Sequence, residues 1–388
     1  MTTRTAWTRV LAVSALALAS AAPAAAKIVF TGYGAFNFTT DGAFRVHGPP
    51  AVIGTLPEGT TRLRGFSTDA VGLFAATKAG EDSEFLVDLN FRNVGAAVGE
   101  TRIQYAYLDT ALPWDMRLQA GKITLPIGYY NTRFFYPFQR VSISGPVFQS
   151  GILGLPIADV GAVVSRHFEE GDWGVDLRVY GVNGYGSTPN STATFRSPSA
   201  PGGLTVSRNL GAGNNNRDLA VGGQAAIGAR GLGEAGMSYY RGAWDKSGER
   251  VLQILGAHVL FTPARLNILA EYLHLDVDAD QGMAASLGGN GDWHTDGLFI
   301  DVSHPLGAPR GMPLTGFARG EIYDSSSDSG GGGHESLRSL STGAALRVND
   351  SITWKAECLW LEYRVPFVSA KSIVLVGHSV SLGLVAAF

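Results

Sequence analysis

The chain has 388 residues, of which 45% are hydrophobic and only 16% are charged, a mixture too apolar for intrinsic disorder. Its 51 glycines are too many for a helical bundle, and a formal net charge of −3 provides no general basic surface for nucleic acid. The single cysteine, Cys358, excludes an intrachain disulfide and any zinc site built from paired cysteines.

The first 26 residues have the pattern of a secretory signal peptide. Two arginines provide a positive start, Val10 to Ala19 form a short apolar core, and small residues precede a cleavage site near Ala26. A membrane anchor is the alternative, but the apolar stretch is short and Pro23 follows it. We therefore predict export, with residues 1–26 removed and residues 27–388 forming one domain.

From Ile28 onward, apolar and polar residues alternate, as in strands with two unlike faces. Several alternating segments have ten or more residues, which suits a strand that crosses a membrane (about 9 to 11) better than a sandwich strand (about 5 or 6). No segment has the ~20 continuous apolar residues of a spanning helix. The clearest apolar faces are Ile28, Phe30, Gly32, Gly34, Phe36 and Phe38; Phe85, Val87, Leu89 and Phe91; Ile103, Tyr105 and Tyr107; Met116, Leu118 and Ala120; Trp173, Val175, Leu177 and Val179; Trp354, Ala356, Cys358 and Trp360; and Val380, Leu382, Leu384, Ala386 and Phe388.

Short and long connections alternate along the chain, as in bacterial outer-membrane barrels. Counting the segments between them gives about 16 strands, an even number as such barrels require. The sequence therefore predicts an all-β protein, a transmembrane antiparallel β-barrel. Short turns are predicted at 112–115, 169–172, 231–234, 262–264 and 349–350, and long loops at 39–64, 123–158, 183–217, 278–293 and 324–338.

Charged residues fall on the polar faces of the strands whose phase is clear. An unpaired charge on the lipid side costs roughly 2 to 4 kcal/mol at the membrane midplane, so these faces are expected to line a water-filled lumen. The inward charges predicted in this way are Glu84, Asp88, Arg92, Arg102, Arg117, Asp176, Arg178, Lys355 and Glu357.

The third long loop, 123–158, is the candidate for a constriction. It carries Arg133 and Arg140, has no acidic residue between Lys122 and Asp159, and contains four aromatic residues between 134 and 138. Folded inward, it would place guanidinium groups at the narrowest point and favour anions. In the alternative interpretation, the loop packs outside the pore and its arginines are solvated or bind lipopolysaccharide phosphate.

Two features resemble a known family. The segment LQAGKITLPIGYYN, Leu118 to Asn131, resembles the Gly-Lys…Pro-x-Gly-x-x-Asn segment that leads into the third loop of many proteobacterial porins. Terminal Phe388 on an alternating strand resembles the end signal read by barrel-assembly machinery. The resemblance implies a 16-stranded general porin of the outer membrane, commonly a homotrimer. The basic third loop also resembles those of phosphate- and anion-selective porins.

The resemblance implies small hydrophilic solutes and anions as the transported partners, and no cofactor. The other implied partners are outer-membrane lipid, lipopolysaccharide and the assembly machinery. From the residues alone, an outer-membrane barrel hydrolase stays open as the alternative function, because catalytic residues of such enzymes meet only in the fold. A soluble periplasmic β-protein fits less well, given the strand lengths and the terminal Phe388.

Four further features have weaker interpretations. Gly377 to Ser381 nearly matches a nucleophile elbow, but it lacks the final glycine and lies in a predicted strand. The alternating Asp276, Asp278 and Asp280 could hold a calcium ion or form a solvated loop base. No His-x-x-x-His pair predicts a zinc site. Cys358 is expected to be an apolar-face residue without a catalytic role.

Overall fold

The structure is a computed structural model. It describes residues 28–47, 61–62, 64–92, 100–146, 158–184, 218–244, 247–278, 292–327, 335–367 and 371–388. The predicted signal peptide lies outside these residues. In the described ranges, no helix has both the length and the apolar character needed to cross a membrane.

Most of the described residues belong to strands. One four-residue helix, α1, spans Tyr130–Arg133, and short 3-10 turns lie at Pro263–Arg265 and Pro309–Gly311. The strands are β1 (Ile28–His47), β2 (Thr61–Arg62), β3 (Gly65–Lys78), β4 (Ser83–Arg92), β5 (Glu100–Leu112), β6 (Met116–Thr124), β7 (Ala158–Glu170), β8 (Trp173–Val182), β9 (Ala220–Ala229), β10 (Gly233–Ala243), β11 (Val251–Phe261), β12 (Asn267–Val277), β13 (Trp293–Gly307), β14 (Leu314–Ser327), β15 (Glu335–Arg347), β16 (Ile352–Phe367) and β17 (Lys371–Ala387).

The sheet closes on itself. Each long strand pairs antiparallel with its neighbours in the chain, and β1 pairs with β17 from Tyr33↔Ala387 to His47↔Val374. The two-residue β2 pairs with β1 next to β3, so the wall is a ring of 16 long strands. Closure leaves no sheet edge with unpaired backbone groups. The predicted all-β antiparallel barrel of about 16 strands is confirmed.

The two ends of the barrel differ in their connections. Seven turns of two to six residues lie at the end that also holds Phe388, and the two longest connections, 125–157 and 183–219, lie at the other end. Five of these turns match the prediction; the turns after β3 and β13 were not predicted. Two predicted loop bounds were wrong, because β1 stays paired with β17 as far as His47, and Ser325 still pairs with Glu335.

The alternating pattern sets the two faces of the wall. On β16, Trp354, Cys358 and Trp360 are exposed on the outside, whereas Lys355 and Glu357 are buried on the inside. Exposed apolar side chains recur around the ring and form an apolar outer belt. A belt of this kind would be unstable in water, and it suits contact with lipid.

A β-bulge corrects the predicted faces of β5. The register shifts between Asp88↔Tyr105 and Leu89↔Ile103, so one extra residue, Gln104, lies in β5. Ile103 stays exposed on the outside, but Tyr105 faces the interior and stacks with Phe74 at 6.4 Å. The prediction that Ile103 and Tyr105 share the outer face was therefore wrong.

The seam between β1 and β17 leaves no room at Gly32. The backbone N–H groups of Gly32 and Phe388 donate to each other's carbonyls at 2.7 and 2.8 Å. A Cβ atom added at Gly32 would lie 2.8 Å from the Phe388 ring and 2.9 Å from the Gly72 carbonyl oxygen.

We predict that Gly32→Ala destabilises the barrel by about 1–3 kcal/mol, the usual cost of overpacking. Gly320→Ala is the matched control, because a Cβ there meets no atom within 4 Å. Thermal unfolding in detergent, followed by circular dichroism, measures both variants. Equal midpoints for the two variants would contradict a tight seam.

Candidate functional site

The third loop begins with the Pro-x-Gly-x-x-Asn motif. Gly128 has φ +66°, and a Cβ atom there would collide with the Glu271 carboxylate, so the position requires glycine. The buried side chain of Asn131 donates to the Leu125 carbonyl at 2.8 Å and ties the start of α1 to the end of β6. The motif thus shapes the turn that brings the loop against the wall.

Glu271 of β12 holds the start of the loop. Its carboxylate accepts the consecutive backbone N–H groups of Tyr129 (2.8 Å) and Tyr130 (2.7 Å). The Gly128 N–H donates to the Ser238 hydroxyl at 3.0 Å, and the Gln224 amide donates to the Gly128 carbonyl at 3.1 Å. Bonds to an ionised acceptor are the strong ones, worth about 1.5–3 kcal/mol each.

Two charged residues of β16 hold the far part of the loop. Glu357 accepts the backbone N–H groups of Ile143 (2.6 Å) and Ser144 (2.9 Å), together with the Ser144 hydroxyl. The Lys355 ammonium donates to the carbonyl oxygens of Pro137 (2.5 Å), Arg140 (2.6 Å) and Ser142 (3.0 Å).

Arg319 of β14 completes this anchor and is only 1% exposed. Its guanidinium donates to the carbonyl oxygens of Ser144 and Gly145, both at 3.1 Å, and to Glu321 at 3.2 Å. The Glu357 carboxylate lies 3.8 Å away. A buried charge is tolerated when it is paired and hydrogen-bonded, and Arg319 meets both conditions.

The loop also bonds to β4. The Tyr136 hydroxyl donates to Asp88 at 2.6 Å, and the Tyr136 ring packs against Tyr33, Phe74 and Phe138 at centroid distances of 5.4–5.7 Å. The pKa of Tyr136 lies well above its ordinary value, mainly because the side chain is buried and also because the Asp88 charge is close to it. The hydroxyl therefore stays protonated and remains a donor to Asp88.

These anchors lie on opposite sides of the ring and at one height. β4, which carries Asp88, is directly across the 16-stranded ring from β12, which carries Glu271. Three of the anchoring residues lie five residues from the short-turn end of their strands: Asp88, Arg319 and Glu357. Glu271 lies four residues from that end. Five residues of strand correspond to about 16 Å, near the middle of a membrane-spanning path.

Apolar packing covers part of the inner wall. Leu125, Ile127 and Tyr130 of the loop belong to one buried cluster with inward residues of β11 to β13. The inner wall of this arc is therefore apolar, and the loop covers it with its own apolar side chains. The wall residues in the cluster include Leu252, Ile254, Leu269, Leu273 and Phe299.

The two loop arginines have different surroundings. Arg140 donates to the carbonyls of Ile143 (2.6 and 3.1 Å) and Phe135 (2.8 Å) and to the Tyr130 hydroxyl, so its side chain braces the loop itself. Arg133, at the end of α1, is exposed and lies within the electrostatic range of Arg178 and Glu234. Of the two, Arg133 is the one whose charge reaches open space.

Two predicted wall arginines, Arg117 and Arg178, line a cavity of about 330 Å³ that runs along β6 to β8, together with Gln119, His167 and Asp176. Arg117 forms an ion pair with Asp109 at 2.6 Å, whereas Arg178 is half-buried near Arg133. Charges of both signs therefore surround this space.

The remaining predicted residues have other outcomes. Asp88, Lys355 and Glu357 do face inward, but the loop covers them and they bond to it, so they are not in contact with a water path. Arg92 and Arg102 are the register partners of Glu100 and Asn90. The side chains of Arg92 and Arg102 lie outside the described part of the chain.

Sequence reasoning missed Glu271 and Arg319. Glu271 alternates with Leu269 and Leu273, so the inner face of β12 is as apolar as its outer face and the phase is ambiguous. For Glu271, the available signal was a lone charge between apolar residues of a strand. For Arg319, it was a pair of opposite charges, Arg319 and Glu321, on one face of β14.

The weaker motifs have structural explanations. His378 and Ser379 are consecutive residues of β17 and point to opposite faces, so they do not form a nucleophile elbow. Asp278 accepts the Val251 N–H at 2.9 Å, and Asp280 lies outside the described residues. The proposed calcium set of Asp276, Asp278 and Asp280 is therefore not assembled in the described part of the chain.

The barrel is similar to solved outer-membrane proteins at low sequence identity. The outer membrane channel DcaP of Acinetobacter baumannii matches with a TM-score of 0.58 and 13% identity, over 95% of this chain and 99% of that one. An anion-selective porin from Comamonas acidovorans matches with a TM-score of 0.56 and 12% identity, over 94% of this chain and 100% of that one. OmpT in its trimer form, an outer membrane protein of Vibrio cholerae, matches with a TM-score of 0.52 and 10% identity, over 94% of this chain and 100% of that one.

The chain has a porin-type outer-membrane barrel fold. No protein-family model matches it, and no curated protein matches its sequence. At 10–13% identity, the likeness to the porin-type barrels concerns the fold alone.

We predict that Glu357→Gln loosens the far part of the loop. The neutral amide oxygen is a weaker acceptor than the carboxylate by about 1–1.5 kcal/mol, so the Ile143 and Ser144 amides should exchange hydrogen roughly tenfold faster. Glu362→Gln on the same strand is the control and should leave both amides unchanged. Unaltered protection in Glu357→Gln would show that this carboxylate does not hold the loop.

Proposed function

We propose that the protein is an outer-membrane porin, a water-filled channel for passive diffusion of small hydrophilic solutes and ions. The observation that carries the proposal is the pair of anchors on opposite sides of the ring. A loop that leaves β6 and bonds to both Asp88 of β4 and Glu271 of β12 must cross the area that the ring encloses. A segment in that position would narrow the lumen.

The location follows from the same properties. An apolar outer belt with short turns at one end and long loops at the other suits the outer membrane, reached by export after cleavage near Ala26. Outer-membrane lipid and lipopolysaccharide would cover the belt, and the assembly machinery would read Phe388. A homotrimer is part of the proposal, and the trimer form of the similar OmpT supports it.

A modest anion preference completes the proposal. Arg133 and Arg178 lie near each other beside the loop, with Asp176 and Glu234 as the nearby carboxylates, and the Asp176 carboxylate is bonded to His167 at 3.0 Å. The Glu234 carboxylate is also bonded to His258 at 3.1 Å. Fixed positive charge in a narrow, poorly screened passage raises the local concentration of anions.

A planar-bilayer recording of the mature chain tests the channel itself. Discrete single-channel steps, with a reversal potential displaced toward that of the anion in a salt gradient, are the expected result. A folded, inserted barrel that gives no current would contradict the proposal, and a displacement toward the cation would remove its anion preference.

We predict that Arg133→Glu moves the reversal potential toward cation preference, and more strongly at low salt because screening is weaker there. Arg338→Glu makes the same change of charge on the outer face of β15, so it should have little effect. If the two variants behave alike while both conduct, Arg133 does not border the ion path. Selectivity would then have to come from wall residues such as Arg178.

A further inference from the structure

Four ionisable side chains form a cluster on the outward face of β12 and β13, toward the long-loop end. In the register, His274 stands opposite Asp296, and Asp276 stands opposite His294. Leu273, one position before His274, is buried on the inner face, so the cluster points away from the lumen. It is therefore separate from the third loop and does not rest on the porin proposal.

Three of these residues bring potential ligand atoms together. His274 Nε2 lies 3.1 Å from Asp276 Oδ2, and His294 Nδ1 contacts the other oxygen of the same carboxylate. The two imidazole rings are nearly parallel, with an interplanar angle of 8°. One ligand atom from each residue lies within 4.8 Å of the others.

Asp296 fixes which nitrogen of His274 is available. Its carboxylate is bonded to His274 Nδ1 at 2.8 Å and also accepts the Tyr272 hydroxyl. With its proton on Nδ1, a neutral imidazole has a lone pair on Nε2, and that lone pair faces an oxygen of Asp276. Two acceptors at 3.1 Å repel each other unless a cation, either a proton or a metal ion, lies between them.

We propose that His274, His294 and Asp276 bind a divalent transition-metal ion, with Zn²⁺ as the best match. Two imidazoles and one carboxylate are nitrogen and oxygen ligands that suit zinc, whereas calcium takes oxygen ligands alone. In a tetrahedral zinc site, bonds of about 2.0–2.2 Å place ligand atoms about 3.4 Å apart, close to the observed separation of His274 from Asp276.

The surroundings match a metal site in two further respects. The carboxylate of Asp296 on the second nitrogen of His274 is the usual outer partner of a metal-bound histidine. The side chains of His274, Asp276 and His294 are 26–39% exposed, which gives an ion a way in and leaves a fourth position for water or an outside ligand. Sequence spacing hid the site, because its histidines lie on different strands.

The test uses the full mature chain folded in detergent, with the metal alone as the probe. Calorimetric titration with Zn²⁺ should show one equivalent bound, and Co²⁺ in its place should give the visible absorption of a site with nitrogen ligands. His274→Ala and His294→Ala should each weaken binding by about 100-fold or more, and Asp296→Asn by roughly 10–100-fold. Circular dichroism verifies that each variant is folded.

His304→Ala is the matched control, an exposed histidine on the same face of β13 outside the cluster, and it should bind as the unmodified chain does. The proposal is overturned if the unmodified chain binds no metal, or if His274→Ala and His294→Ala bind as tightly as the control. If those variants fail to fold, Asp296→Asn provides the test, because it keeps all three metal ligands. An undiminished Zn²⁺ affinity in Asp296→Asn would then overturn the proposal.

Discussion

Two carboxylates, Glu271 and Glu357, each accept two consecutive backbone amides of the third loop, and the position of that loop depends on these bonds. A loop inside a barrel would bury backbone N–H and C=O groups, which is costly unless each group finds a partner. The inward faces of the strands supply the partners: carboxylates for the amides, and Lys355 and Arg319 for the carbonyls. Charge on the inner wall thus has a structural role before it has any role in transport.

The same interactions divide the interior into two parts. The loop packs its apolar residues against β11 to β13, and its aromatic residues against Tyr33 and Phe74 on the opposite side. Arg140 is used within the loop, whereas Arg133 and Arg178 remain beside the space near the cavity. Only the charged groups that do not bond to the loop are therefore left to act on solutes, and they are few.

Alternation predicted the barrel, its strand count and most short turns, because a strand between lipid and an aqueous interior must have two unlike faces. The alternating pattern failed to predict the structure where the two faces of a strand are similar or where a bulge interrupts the alternation. The inner face of β12 is apolar beneath the loop, which hid Glu271, and the extra residue Gln104 in β5 reversed the predicted face of Tyr105. The cluster of His274 and His294 depends on the register between β12 and β13, which spacing along the chain does not contain.

The far part of the third loop, which bonds to β14 and β16, also lies against β17. Ile143 of the loop lies beside Gly383 of β17, where an added Cβ atom would be 3.0 Å from Ile143 Cγ1. The most direct measurement replaces both residues with cysteine in a Cys358→Ser background and tests for a disulfide in the folded barrel. We expect a cross-linked peptide joining the loop to β17 and no free thiol. Two thiols that both stay reactive in a folded barrel would rule out this position of the loop.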